Sequence, residues 1–242
     1  MNGRVAIVTG ASGGIGEAIA VAFAQEGARV VVTARRAGEL ERVVARIEAG
    51  GGSAVALTCD LTRESDIVEL FAATVRNCGR LDVLVNTAGK QGPGATHELT
   101  LDFWNEVLAV NVTAPFLTSR EAIKIMKAQD PQGGRIINIG SQAGITPRPN
   151  SLAYSTSKRA LVGLTHALTL DGRAYNVVAS IINPGNTRTH TTGPKIPPGA
   201  RDIMAPEDVA RVALLMATLP PEVNLYEATL LPNTMPSFVG RG

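Results

Sequence analysis

The sequence predicts an α/β fold, a single domain over residues 1–242 with a doubly wound, mostly parallel sheet of seven strands flanked by helices. Three observations predict it. Short apolar runs such as Val5-Ala6-Ile7-Val8 alternate with longer segments whose apolar residues recur at helical spacing. Such runs have no polar face, the mark of strands buried on both sides of a parallel sheet. Turns of glycine and other small residues follow several of these runs, and no repeat, linker or low-complexity segment divides the chain.

The elements follow in order. Arg4–Thr9 reads as the first strand, the turn Gly10-Ala11-Ser12-Gly13-Gly14-Ile15-Gly16 follows it, and residues 17–26 carry Ile19, Ala20 and Phe23 at helical spacing. Ala28–Ala34 is the second strand and ends in Arg35-Arg36. Residues 39–48 place Leu40, Val43, Val44 and Ile47 on one helical stripe. Ser53–Thr58 is the third strand, followed by Cys59-Asp60-Leu61 and a helix marked by Ile67, Leu70, Phe71 and Val75. Leu81–Val85 leads into Asn86-Thr87-Ala88-Gly89. Residues 101–129 read as largely helical with a break near their start. Gly134–Ile139 is the fifth strand, with Ser141 just beyond it. Residues 154–169 form the next helix, whose stripe of Leu161, Leu164 and Leu168 faces the sheet or a partner subunit. The sixth strand spans 176–182, and Asn183-Pro184-Gly185 follows. Residues 186–205 read as a long loop of the kind that covers a site, 206–219 as a helix and 226–231 as the last strand.

Composition excludes several function classes. Lys plus Arg at 23 against Asp plus Glu at 21 gives a net charge of +2, no electrostatic footprint for nucleic acid or an acidic membrane. Aromatic residues make up 4%, too few for a base-stacking surface. No stretch approaches the roughly 18 apolar residues that span a bilayer, and no secretory signal opens the chain, so a cytoplasmic location is expected. Cys59 and Cys78 have no metal-ligand or redox spacing and read as reduced structural thiols, and no metal site is expected.

The chemistry-bearing residues gather at the strand ends. A glycine turn between a first strand and a first helix lets the backbone approach a phosphate, whose charge the first helical N–H groups stabilise; the alternative is a tight connection. Arg35 and Arg36 stand where a carboxylate would bind ribose hydroxyls, which favours NADP(H) over NAD(H) unless the pair is simply solvated. Asp60 can accept from an adenine amino group or cap a helix. Pro115 has no N–H to give the carbonyl of Asn111, which leaves that carbonyl able to hold a water or marks a simple kink. Tyr154 and Lys158 lie four residues apart on one helical face, where an ammonium pulls a phenol of pKa roughly 10 toward neutrality.

As a set these residues resemble the short-chain dehydrogenase/reductase family, over about Arg4 to Leu231. Thr9-Gly10-x-x-x-Gly14-x-Gly16 resembles its cofactor motif, and Asn86-Thr87-Ala88-Gly89 its Asn-Asn-Ala-Gly segment. Ser141, Tyr154 and Lys158 resemble its catalytic trio, Asn111 its fourth catalytic position, and Pro184, Gly185 and Thr189 its nicotinamide segment. The resemblance implies a Rossmann-type fold and hydride transfer between a nicotinamide cofactor and a ketone, aldehyde or alcohol. In that scheme Tyr154 is the acid or base, and Lys158 lowers its pKa and holds the nicotinamide ribose. Ser141 binds the carbonyl oxygen, and the Asn111 carbonyl holds a water that returns protons to Lys158. The cofactor set is Gly10, Ser12, Gly13, Gly14, Ile15, Gly16, Arg35, Arg36, Asp60, Leu61, Asn86, Ala88, Gly89, Tyr154, Lys158, Pro184, Gly185, Thr187 and Thr189. A homodimer or homotetramer is implied as well.

The departures are also informative. Thr87 replaces the second Asn of its segment, at the expected loss of a structural hydrogen bond. Thr187 stands where a branched apolar residue is usual, in a contact that is mostly main-chain. The C-terminal residues lack the family's frequent Val-Asp-Gly-Gly. Two other readings are a dinucleotide-binding sensor or scaffold without catalysis, and an epimerase or dehydratase on the same fold. The substrate stays open: Lys195 and Arg201 either attract an anionic substrate or are solvated loop charges, and His97 and His190 either line the pocket or sit at its rim.

Overall fold

A computed structural model describes residues 1–189 and 202–235. The seven strands are β1 (Val5–Thr9), β2 (Arg29–Ala34), β3 (Ser53–Thr58), β4 (Val83–Asn86), β5 (Gly134–Ile139), β6 (Val177–Pro184) and β7 (Glu227–Leu230). They form one sheet in the order β3-β2-β1-β4-β5-β6-β7, and every pairing is parallel. All carboxyl ends therefore lie on one edge. The order reverses between β1 and β4, the switch point at which such sheets open a crevice.

The helices are α1 (Gly14–Gln25), α2 (Ala37–Ala49), α3 (Glu64–Cys78), α4 (Leu101–Leu108), α5 (Ala114–Ala128), α6 (Leu152–Gly172) and α7 (Pro206–Thr218). They cover both faces. Ile19 and Phe23 of α1, Leu40 and Val43 of α2, and Val209 and Met216 of α7 pack on Val30, Val32, Val83 and Val85. On the other face Ile67 and Phe71 of α3, Leu117 and Met126 of α5, and Leu168 of α6 pack on Ile7, Val31, Leu84 and Ile136. Burial of a large apolar side chain contributes about 1.5–3 kcal/mol, so this two-sided core accounts for the unbroken apolar runs. The stripe of α6 faces the sheet, since Leu161 and Val162 pack on Ile181. Burial and the charges of Asp66 and Asp60 push the Cys59 thiol up to about 12, and both cysteines are free thiols.

Three boundaries differ from the sequence reading in ways that shape the site. The break expected near the start of 101–129 lies in its middle, where residues Ala109–Thr113 form a π turn and Ala114 N–H donates to the carbonyl of Ala109. Pro115, at the start of α5, has no N–H for an ordinary α-helical bond, and the wider turn is the local answer to that gap. Helix α6 begins at Leu152, so Tyr154 stands inside its first turn. Strand β6 runs on through Pro184, which carries Asn183 and Pro184 into the sheet, and Pro184 pairs with Leu230 of β7.

Candidate active site

Six strand ends and one π turn meet at the crevice. The glycine turn follows β1, and three of its glycines are required by shape, Gly16 because a Cβ there would lie 2.5 Å from the Gly10 carbonyl oxygen. Gly10 has φ +63°, and a Cβ there would lie 2.8 Å from the Ala88 Cα, so the turn after β4 presses on it. Gly14 has φ +60°, and a Cβ there would meet the Thr189 side chain at 3.3 Å. The structure thus sets Thr189 of the nicotinamide-like segment against the turn. Gly13 stands at the N-cap of α1 and, having no side chain, leaves the first helical N–H groups without a side-chain cap. Ser12, Ile15 and Gly16 complete this cradle.

Behind the turn lies a clamp that the sequence reading missed. Glu17, 6% exposed, receives two N–H groups of Arg42 at 2.8 Å each and one of Arg46 at 3.0 Å. Arg42 also donates to the Ser12 carbonyl at 3.2 Å, so α2 holds the glycine turn through one guanidinium. These hydrogen bonds, Arg42's foremost, keep the Glu17 carboxyl below its ordinary range despite its burial.

At the ends of β2 and β3, Arg35 and Arg36 are exposed, and Arg36 is the N-cap residue of α2. Asp60 does not cap α3, whose N-cap is Arg63. Its Oδ1 instead accepts from Thr62 N–H at 3.0 Å and Thr62 Oγ1 at 2.7 Å, and those bonds, with the charges of Arg35 and Arg63, lower its pKa. Leu61 lies beside Asn86, Ala88 and Pro115.

After β4, Thr9 Oγ1 accepts from the N–H groups of Thr87 and Ala88, at 3.0 and 3.3 Å. The Asn86 side chain turns into a buried polar network with Asn138, Thr118 and Ser119, so any contact it makes with a cofactor is through its main chain. Thr87 shows the expected loss: its Oγ1 is buried without a hydrogen-bond partner. Asn111 grips the next residue, accepting from Lys90 N–H at 2.7 Å and donating to Lys90 C=O at 2.9 Å. Its amide also donates to Ser157 Oγ at 2.9 Å, and Ser157 donates to the Tyr154 carbonyl at 2.7 Å. Asn111 therefore ties the π turn, the β4 segment and α6 together. Gly89 lies where Asn111 Oδ1 and Lys158 Nζ converge, 3.6 and 3.7 Å from the position of a Cβ.

Tyr154 and Lys158 share a face of α6, as their spacing predicts, and Ser141 is hydrogen-bonded to Tyr154. Lys158 Nζ lies 5.9 Å from the centre of the Tyr154 ring. The electrostatics depart from expectation. Tyr154 keeps some surface as a residue, but its phenol oxygen is crowded by protein, and this burial raises its pKa. Hydrogen bonds from Ser141 and Gln91 and the charge of Arg148 oppose the rise without overcoming it. Lys158 does not lower it. The lysine is buried, donates to the Ile139 carbonyl at 2.7 Å, and burial brings its own pKa down to about 8. Gln91 and Ser157 were not singled out in the sequence; the second stands one turn from Tyr154, which is the signal that marks it.

The C-terminal departure also reaches the site. Leu231, Pro232 and Met235 lie against Gly185, at the end of β6. Thr187, 6% exposed, donates to the Gly185 carbonyl at 3.1 Å. The two described ends of the expected loop are joined by Arg188 N–H to Met204 C=O at 2.9 Å and Met204 N–H to Asn186 C=O at 2.8 Å. His190, Lys195 and Arg201 lie outside the described residues. His97 is almost fully solvent-exposed beside Glu98. A groove of about 380 Å³ opens along the free edge of β3 between Glu41 and Glu69, and Asp66 in its lining accepts from Asp60 N–H at 3.3 Å. Among the described residues no group of three or more metal-ligating side chains is found, and no helix is long and apolar enough to cross a membrane.

Comparison with known proteins agrees with this geometry. Residues 4–198 match the family model described as short chain dehydrogenase. The 2,3-dihydro-2,3-dihydroxybenzoate dehydrogenase of Bacillus subtilis is 38% identical over 189 residues, 78% of this chain and 72% of that protein. Dehydrogenase/reductase SDR family member 11 of Bos taurus is 33% identical across 95% of this chain and 96% of its own. A metagenomic short-chain oxidoreductase solved in complex with NADP superposes with a TM-score of 0.83 at 36% identity, covering 95% of this chain and 96% of that one. A short-chain type dehydrogenase/reductase from Mycobacterium marinum superposes at 0.87 with 29% identity, over 95% and 94%.

Proposed function

The chain belongs to the short-chain dehydrogenase/reductase family, and from that premise we propose that it is an NADP(H)-dependent oxidoreductase interconverting a ketone or aldehyde and an alcohol. The observation that carries the reading is the meeting of Tyr154, Ser141 and Lys158 beside a glycine turn that a dinucleotide fits. The fit rests on the uncapped N–H groups of α1, which suit a pyrophosphate, and on the positive φ of Gly10 and Gly14, which shapes the turn that leads into them. Arg35 and Arg36, exposed at the end of β2, suit a 2′-phosphate, and the NADP-bound relative supports that choice. The names of two relatives, the dihydroxybenzoate dehydrogenase above and a 3beta-hydroxysteroid dehydrogenase, support an alcohol–carbonyl reaction.

When bound, the nicotinamide supplies a hydride to the carbonyl carbon or takes one from the alcohol carbon. In reduction Tyr154 gives its phenolic proton to the oxygen as the hydride adds to carbon, and in oxidation it takes that proton back. Its raised pKa keeps it protonated, as an acid must be. Ser141 donates to the oxygen where negative charge develops. Lys158, poised near pH 8, returns the proton to Tyr154, and the Asn111 carbonyl holds the water that resupplies it. The family resemblance carries the expectation of a homodimer or homotetramer into this reading.

The test is loss of nicotinamide absorbance with a panel of carbonyl compounds and NADPH. Tyr154→Phe is expected to lower kcat/KM by about 10²–10⁴-fold with NADPH binding nearly intact, and unchanged turnover refutes the mechanism. In the same assay, replacing Arg35 and Arg36 with Gln weakens NADPH much more than NADH; equal loss refutes the 2′-phosphate assignment.

A further inference from the structure

Arg148 is a cation built into the mouth of the crevice with no assigned task. It lies on the segment between Ser141 and α6, and its guanidinium donates to Asn186 Oδ1 at 3.0 Å, just after the Pro184-Gly185 end of β6. It therefore bridges the catalytic helix and the nicotinamide-like segment. Its backbone is held on both sides. Pro147 and Pro149 fix φ of the flanking positions. Arg148 N–H donates to Ser151 Oγ at 3.2 Å, Ser151 Oγ donates back to the Arg148 carbonyl at 2.6 Å, and Asn150 C=O accepts from Gly94 N–H at 2.9 Å. Ser151 is itself the N-cap residue of α6, the helix of Tyr154. Arg148 is thus positioned by the same helix start that positions the phenol, and its charge is felt at that phenol.

This cation has no carboxylate partner among the described residues. Among the described residues the guanidinium donates to a neutral amide, which orients the planar fork and leaves other N–H donors for a ligand. A single oriented guanidinium matches a carboxylate in geometry and charge. An ordered backbone lowers the entropy cost of using it.

We propose that Arg148 reads an anionic group on the substrate, and that the compound turned over at Tyr154 is a keto acid or the corresponding hydroxy acid. This rests on the oxidoreductase reading and adds the substrate class. In the reductive direction the keto acid, the hydride of the reduced nicotinamide and one proton from Tyr154 give the hydroxy acid and the oxidised nicotinamide. The carboxylate takes no part in the bond changes. It binds Arg148 and fixes which carbonyl reaches the phenol.

The experiment compares wild type, Arg148→Gln and Arg148→Lys on matched pairs with NADPH: levulinate with methyl levulinate, benzoylformate with methyl benzoylformate, and 3-acetylbenzoate with its methyl ester. Wild type is expected to favour the acid of at least one pair by tenfold or more in kcat/KM. Arg148→Gln lowers that acid-to-ester ratio at least tenfold, chiefly through KM, and Arg148→Lys restores part of it. Wild-type enzyme that reduces esters as well as acids overturns the proposal and leaves the oxidoreductase reading standing. Equal loss on acid and ester in Arg148→Gln also overturns it, since a purely structural role would do that. If no carbonyl compound is reduced, the oxidoreductase reading fails, and calorimetric titration of the NADPH-loaded protein with benzoate and benzamide decides the anion site. Tighter benzoate binding that Arg148→Gln abolishes supports it, and equal binding of the two overturns it.

Discussion

Glu17 and Lys158 are both ionisable side chains taken out of water at the carboxyl edge of one sheet, and the fold treats them in opposite ways. Glu17 meets two arginines, and the three form a tight ion-paired clamp behind the glycine turn. Among the described residues Lys158 donates to the Ile139 carbonyl and has no carboxylate partner. Compensation makes Glu17 a fixed charge that holds backbone in place. Its absence makes Lys158 a group whose proton is loosely held, with a pKa brought down from 10.5 to about 8. The nucleotide-binding side is built to stay put; the catalytic side is built to let a proton move.

The largest effect is expected where the uncompensated charge is removed. Lys158→Met lowers turnover by about 10²–10⁴-fold, because proton return to Tyr154 fails. The same change stabilises the fold. A shift from 10.5 to about 8 corresponds to about 3 kcal/mol of folding stability withheld below pH 8. Loss of the hydrogen bond to Ile139 takes back about 1 kcal/mol of the gain. Denaturant unfolding at pH 7 should show the variant more stable by about 1–3 kcal/mol; a less stable variant would mean that the lysine is not strained by burial. The pH dependence has a definite sign. Between pH 8 and 10.5 the unfolded chain binds a proton that the folded chain releases, so wild-type stability rises with pH across that window. The thiols of Cys59 and Cys78, with raised pKa values, act in the opposite sense above pH 9, and Tyr154 does so above pH 10, which leaves pH 8 to 9 as the clean interval.

At the compensated site the sign reverses. Glu17→Gln leaves Arg42 and Arg46 without their acid and is expected to cost about 1–3 kcal/mol. NADPH affinity should fall with it, as the tie from Arg42 to Ser12 loosens. Glu17 has a lowered pKa, so its contribution is present above pH 4.5 and is lost as pH falls through the folded value. Acid unfolding therefore begins at higher pH in wild type than it would with this pair insensitive to pH, and Glu17→Gln removes that component. Superimposable acid-unfolding slopes for the two proteins would break the comparison. The smallest effect concerns Thr87, whose buried hydroxyl lacks a partner. Thr87→Val is expected to raise stability by up to about 1 kcal/mol with kcat unaltered, and a drop in the melting temperature would show that the hydroxyl is used.

Much of this was legible in the sequence where the signal is local. Strand ends carry their turns with them, so Gly10 to Gly16, Asn86 to Gly89, Ser141 and the Tyr154–Lys158 spacing are read from short windows. What joins them is not local. The Glu17–Arg42 clamp links residues 25 apart on two helices, and the Asn111–Lys90 grip links a π turn to a loop 21 residues away. Neither leaves a periodic trace. The expectation that Lys158 lowers the Tyr154 pKa failed for a related reason. Spacing tells that two groups share a helix face, whereas burial, which dominates here, depends on what the whole sheet brings around them. Arg148 escaped because an arginine between prolines reads as solvated loop, and although it is indeed exposed, only the fold shows Asn186 beside it.

The pairing of Asn186 and Arg188 with Met204 has an evolutionary reading. The chain leaves the sheet's edge and rejoins it at the same place, so whatever lies between can be exchanged without moving β6 or α7. Doubling the length of such an insert costs only about 0.6 kcal/mol of closure entropy. The hydrogen-bonded pair is in effect a socket that fixes both ends of the insert next to β6 and α7.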